Sequence, residues 1–166
     1  MRRSTVSVPS VFAMAAVLFA ASCGGGAMSP TVSTPVPALP SGAYVLSVSF
    51  GGGGGISACV SSGMQPGALA TNVQLQHTGN TVTIRPDDSN ASFRMDLLMS
   101  GATLLGTASG QFLSGGNVVT VAGLQGDPAA SAVGTASSSG AAGNLTGTIS
   151  SRGLGCNGGN WSVSSR

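Results

Sequence analysis

From Gly42 onward, apolar and polar residues alternate with a period of two. Tyr44, Leu46, Val48 and Phe50 are interleaved with Val45, Ser47 and Ser49. Alternation of this kind turns every second side chain to one face and predicts a half-buried strand. Val73, Leu75 and His77 alternate with Gln74 and Gln76, and Gly79-Asn80 follows. Glycine at the first central position suits a type II′ hairpin turn. Pairing across that turn sets His77 opposite Val82 and Leu75 opposite Ile84, with all four on one face. Residues 86–90, Pro-Asp-Asp-Ser-Asn, read as a loop. Phe93, Met95, Leu97 and Met99 then share a face, with Arg94, Asp96 and Ser100 on the other. A turn at Ser100-Gly101 leads into Leu104, Gly106, Ala108, Gly110 and Phe112, and sets Met99 against Ala102 and Leu97 against Leu104. Further strands are expected near residues 117–123, 132–137, 144–151 and 161–165. Eight or nine strands with short links predict an all-β antiparallel meander, a closed barrel in preference to a sandwich.

Ahead of Gly42 the alternation is absent. An unbroken apolar run of eleven residues, Val11 to Ala21, stands behind Arg2 and Arg3. It falls short of the ~20 residues that a spanning helix needs and fits the core of an export signal. Residues 24–41 are mostly Gly, Ser, Thr and Pro, and hold Pro30, Pro35, Pro37 and Pro40. Such density of proline forbids helix and favours an extended chain of ~3.1 Å per residue, a spacer reaching roughly 50 Å.

The apolar run ends in Ala20-Ala21-Ser22, directly before Cys23 and Gly24-Gly25-Gly26. Here the chain resembles a bacterial lipoprotein precursor, with Ala20 where that family more often has Leu and with Leu18 two positions upstream. The resemblance implies cleavage before Cys23, a diacylglycerol on its thiol and a further acyl chain, such as palmitate, on the new amino terminus. It also implies a cell-envelope location, and Gly24 rather than Asp after the cysteine favours the outer membrane. Each buried acyl CH₂ is worth ~0.8 kcal/mol, and stable anchoring needs more than one chain. An ordinary signal peptide cut at an Ala-x-Ala site is the alternative that these residues leave open. The expected organisation is a signal peptide over residues 1–22, a tether over 23–41 and a barrel-like domain over 42–166.

Composition sharpens this picture in two ways. The chain is 42% hydrophobic with only 6% charged residues, and it has no Lys and no Glu. It can therefore bury a core, unlike disordered chains of high charge, yet it lacks the usual surface formers of helices. From Cys23 onward, Arg85, Arg94, Arg152 and Arg166 balance Asp87, Asp88, Asp96 and Asp127. No basic stripe exists for nucleic acid, so the membrane partner is expected through lipid alone. Cys59 and Cys156 remain after Cys23, and an oxidising compartment would pair them. Since Cys59 follows the first strand and Cys156 precedes the last, that bridge would favour closure of the sheet. Free thiols or a shared metal are the alternatives, but one histidine and two cysteines do not make a four-ligand zinc site.

Chemistry is sparse. His77 is the single histidine, so a hydrolase would have to use it, although its place on an apolar hairpin face suggests a rim residue. Gly106-Thr107-Ala108-Ser109-Gly110 sets serine one place late for a nucleophile elbow. Gly51 to Gly55 lacks the lysine of a phosphate loop. Asp87, Asp88 and Asn90 carry oxygens, but calcium wants six to eight, and a solvated turn accounts for them. No catalytic residue, metal or cofactor is expected. The bulky residues Phe93, Met95, Leu97, Met99, Phe112 and Trp161 form either the core or an apolar ligand cavity. Gly42-Ala43-Tyr44, with Trp161 and Arg166 near the end, is faintly similar to the opening and late Arg of lipocalin-like barrels, with Tyr in place of Trp. A Gly-Thr-x-Ser pattern recurs at Gly106, Gly134 and Gly147 without a fixed period. These readings together imply an anchored, non-enzymatic binding or structural module. A carrier of small apolar ligands, or a hydrolase using His77, stands as the alternative.

Overall fold

The computed structural model describes residues 39–50, 68–151 and 154–166. They form nine strands: β1 (Gly42–Phe50), β2 (Ala68–Thr78), β3 (Thr81–Pro86), β4 (Arg94–Ser100), β5 (Thr103–Ser114), β6 (Asn117–Ala122), β7 (Ala130–Ser137), β8 (Gly140–Ser151) and β9 (Leu154–Ser165). Every pairing is antiparallel, and β1 bonds both β2 and β9. The all-β meander is as expected, and its hydrogen bonds close in a ring.

The ring has eight staves rather than nine. β5 and β8 are twelve residues long, and β6 and β7 share the single slot between them. Gly110–Ser114 of β5 pairs with β6, and Thr103–Ala108 pairs with β7. β8 is divided in the same way. Because β6 and β7 are both antiparallel to β5, they run in one direction, as a stave interrupted by an excursion over residues 123–129. Within it Gly123 donates its N–H to Asp127 O, and Asp127 donates to Leu124 O, both at 3.0 Å.

The stagger of the ring follows from its register. Thr78 pairs with Thr81, then the row runs through Leu98, Leu105, Val133, Asn144, Asn160 and Ser49 to Ala68. The circuit returns to β2 ten residues (78 − 68) from its start. With ~3.3 Å per residue along strands and ~4.8 Å between them, eight staves and this stagger give a tilt of about 40°. A barrel of this size has an interior just wide enough for side chains to fill.

The first hairpin has the expected register, with His77 opposite Val82 and Leu75 opposite Ile84, and Gly79 has φ 59°. The second differs from expectation. Its central residues are Gly101-Ala102, so Ser100 faces Thr103, Met99 faces Leu104 and Leu97 faces Gly106. The cause is the one at work in the first hairpin. A type II′ turn wants glycine first of its two central residues, and Gly101 stands there with φ 60°. The correction moves the pairing by two places, so inward residues stay inward.

Interior positions come from every stave, but their sizes are uneven. β2 to β5 supply Val73, Leu75, Val82, Ile84, Met95, Leu97, Leu104 and Phe112, all buried. β7 and the start of β8 supply Ala130, Ala132, Gly134, Ala136, Ala141 and Gly143. Trp161 of β9 pairs with Gly143, which in turn pairs with Gly134, so the largest side chain lies beside the smallest wall. The recurring Gly-Thr-x-Ser pattern acquires its reason here. Gly106, Gly134 and Gly147 all stand on the inward-facing register, and the threonine after each turns outward.

Candidate functional site

The six residues expected to form a core or a cavity meet inside the ring. Phe93, Met95, Leu97, Met99, Phe112 and Trp161 belong to one buried cluster, none more than 8% exposed. Phe93 and Phe112 meet edge to face, with ring centroids 5.3 Å apart, a geometry that aromatic quadrupoles favour. Leu46, Val48, Val73, Val82, Ile84, Met95, Leu104, Val119, Ala132 and Ile149 have no accessible surface. A void wide enough for water beside any of them would expose part of its side chain. The space around these residues is therefore occupied by side chains, at the close packing of a protein core.

His77 is an inward residue at the end of β2, and its partners are backbone groups of the entering chain. Its Nδ1 lies 2.9 Å from the Leu39 carbonyl oxygen. A carbonyl only accepts, so Nδ1 is the donor in this contact. Nε2 is buried and has no hydrogen-bond partner. The His77 N–H donates to Ser41 Oγ at 2.8 Å, and Tyr44 Oη donates to the Pro40 carbonyl at 2.8 Å. Leu39 is 1% exposed and belongs to the core cluster. Residues 39–41 thus form a strap across this end of the barrel. The imidazole holds the strap, and among the described residues no carboxylate or hydroxyl hydrogen-bonds its ring.

The aspartates lie outside and are largely engaged. Arg94 bonds Asp96, which also accepts from Thr83 Oγ1 at 3.0 Å. Arg166 meets Asp87 at 2.6 Å, and Gln74 donates to the same carboxylate at 3.0 Å. Both carboxyls are held below their ordinary range, chiefly by the hydrogen bond from arginine in each case. Arg166 also donates from Nε to the Tyr44 carbonyl at 3.2 Å. Asp88 is turned into its own loop, accepting from the Asn90 N–H at 2.9 Å. Among the described residues no three His, Cys, Asp or Glu side chains gather.

Cys23 and Cys59 fall outside the described residues. Cys156 is 1% exposed on β9, directly opposite Ile149 of β8.

Two exposed features lie on the outer wall of β4 to β7. Leu98, Leu105 and Val133 pair in one row across three neighbouring strands and are 64, 52 and 45% exposed. Leu113 and Val118 pair across the β5–β6 hairpin and are about half exposed. This second pair helps line a groove of about 200 Å³, together with Asp88, Asn90, Ala91, Gln111 and Phe112. The sequence did hold a signal for these positions. In a period-two pattern an apolar doublet must send one member outward, and Leu97-Leu98, Leu104-Leu105, Phe112-Leu113 and Val118-Val119 are such doublets.

Compared with protein-family models, curated proteins and solved structures, the chain matches none.

Proposed function

We propose that the chain is a lipid-anchored protein of the bacterial envelope whose barrel serves as a non-enzymatic binding or structural module. The observation that carries this reading is the contrast between the two faces of the ring. The inward positions are apolar and closely packed apart from His77 at one end, while the described aspartates and arginines lie outside, mostly held in pairs. That contrast favours an outer working surface over an interior carrier site. The outward rows, rich in Ser, Thr, Asn and Gln, are also unlike the apolar band of barrels that cross lipid with their strands.

The anchor in this proposal is Cys23, diacylated and acylated after cleavage, in the outer membrane. The strap at Leu39–Ser41 is then where the tether meets the barrel. A Cys59–Cys156 bridge belongs to the same proposal. The chain carrying Cys59 departs from β1 at Phe50, opposite Gly159, and rejoins the sheet at Ala68, opposite Ser49. Gly159 stands three residues (159 − 156) from Cys156 on β9. For the hydrolase alternative, no carboxylate among the described residues partners His77, which tells against general-base use.

The test is replacement of Cys23 by Ser in the full chain, followed by cell fractionation and metabolic labelling with an alkyne fatty acid. Release from membranes with loss of label is expected. Retention in membranes with label intact overturns the anchor. Any hydrolytic activity that vanishes in His77→Ala overturns the non-enzymatic reading.

A further inference from the structure

Half of the ring, from β5 through β6 and β7 to β9, is built from strands that hold no charged residue. The exposed row Leu98, Leu105 and Val133 starts on β4 and runs onto this half. We propose that this wall docks a second copy of the same chain, wall against wall, about a two-fold axis beside Leu105. The proposal deepens the reading of the barrel as an anchored binding module and rests on it.

The row has the surroundings of an interface centre. Its outward neighbours along β4, β5 and β7 are Ser100, Thr103, Thr107, Ser131 and Thr135, all exposed, and Asp96, which Arg94 neutralises. An apolar centre inside a polar rim, with charge left out, is the composition of a protein–protein contact. A surface that faces only water usually carries roughly a quarter or more charged residues.

Charge balance selects the occupant. A two-fold contact sets a patch against its own copy, so any net charge on it would repel. This wall has none. A charged partner would have to bury its charges here without counter-ions, which is costly. The wall therefore fits another uncharged surface with a short apolar row, and this chain displays one. Residues 24–38 and 51–67 contain no charged residue, and Arg152 follows Ser151, seven residues beyond Asn144 of the same row. The chain entering at Leu39 and the link from Phe50 to Ala68 both join the ring at β1 and β2, and β5 stands four staves from β1 in either direction. The staves β4, β5, β7 and β8, ~4.8 Å apart and about eight residues long at ~3.3 Å each, present roughly 500 Å². A stable complex buries about 800 Å² per partner. The dimer is accordingly weak in dilute solution and forms where anchoring holds copies at high effective concentration in one plane.

Leu105→Cys, made in the full-length chain, should be oxidised in intact membranes with a mild thiol oxidant. A dimer band that a reductant removes is expected, because residue 105 meets its own copy near the axis. Gln76→Cys, exposed on β2 three staves from β5, and the natural chain should give no such band. Adding Leu98→Arg to Leu105→Cys should abolish it, since unpaired guanidinium groups would be buried in the apolar centre. Positions 98 and 105 are exposed, so the barrel itself should keep its unfolding midpoint in both variants. No link at 105, a link of equal yield at 76 or in the natural chain, or a link at 105 that survives Leu98→Arg would each overturn the proposal. The first of these is the result if the wall lies on lipid or on a different protein. Fractionation of Cys23→Ser reads the anchor alone and the 105 link reads the wall alone, so either idea can fail without the other.

Discussion

The indole of Trp161 occupies the space that a side chain at Gly134 would need. A Cβ added at Gly134 would stand 2.6 Å from Trp161 Cζ2 and 2.6 Å from the Ala142 carbonyl oxygen. The ring therefore closes with its bulk on one wall and near-absence of side chains on the other. Gly134→Ala is expected to lower stability by about 1–3 kcal/mol through overpacking, and Trp161→Ala by about 3–5 kcal/mol through the void it leaves. The pair should not be additive, because removing the indole makes room at residue 134. Urea denaturation of the two single variants and the double variant measures this coupling. Full additivity would mean that the two positions do not share the space.

Leu39 makes the strap part of the fold. Its side chain is buried, its carbonyl accepts from His77, and Ser41 and Pro40 are bonded on either side of the same contact. Leu39→Ala should cost about 2–5 kcal/mol, as for other core leucines, although the residue lies in a stretch whose composition reads as tether. Leu98→Ala, at a position 64% exposed, should change stability by no more than about 0.5 kcal/mol. Thermal denaturation of the two variants side by side checks the contrast. Equal, small effects would return residues 39–41 to the tether.

Local patterns were more legible than long-range ones. Alternation from Tyr44 to Val48 and from Phe93 to Met99 identified inward residues correctly because the period of a strand is fixed by backbone geometry. The register at Gly79-Asn80 was readable for the same reason, since two residues decide the turn. At residues 100–102 the glycine was visible but was given the second central position instead of the first. The sharing of one stave by β6 and β7 had no local mark, because it depends on the lengths of β5 and β8. The strap was hidden by composition: Leu39 sits among prolines, and only its meeting with His77, 38 residues away, shows that it is folded. The groove was hidden likewise, since Asp88 and Val118 come together only through the ring.

Acid should loosen the outer wall at two places. The carboxyls of Asp96 and Asp87 are held below their ordinary range by Arg94 and Arg166. A carboxyl whose folded-state pKa is depressed contributes stability that is fully present above its unfolded value of ~4 and is lost as pH falls through the folded value. Unfolding midpoints should thus be level from pH 7 to about 5 and decline below about 4. Asp96→Asn and Asp87→Asn should each flatten that decline while changing little at pH 7 in moderate salt, since both pairs are solvent-exposed and screened. An acid decline of unchanged steepness in both variants would locate the acid-sensitive groups elsewhere.

The proposed bridge gives the sharpest stability test. Joining residues 59 and 156 would close a loop of about 100 residues, worth up to ~4.7 kcal/mol in the chain-entropy model and less where the native geometry is strained. Cys156 is buried opposite Ile149, so Cys156→Ala removes packing as well as the bond. Cys59→Ala separates the two contributions. If the bridge forms, a reductant should lower the unfolding midpoint of the natural chain and leave that of Cys59→Ala unchanged. The natural chain should also resist a thiol-labelling reagent at both cysteines until it is unfolded and reduced. Labelling of Cys59 in the folded, unreduced protein would refute the pairing, and the ring of hydrogen bonds would then close the barrel unaided.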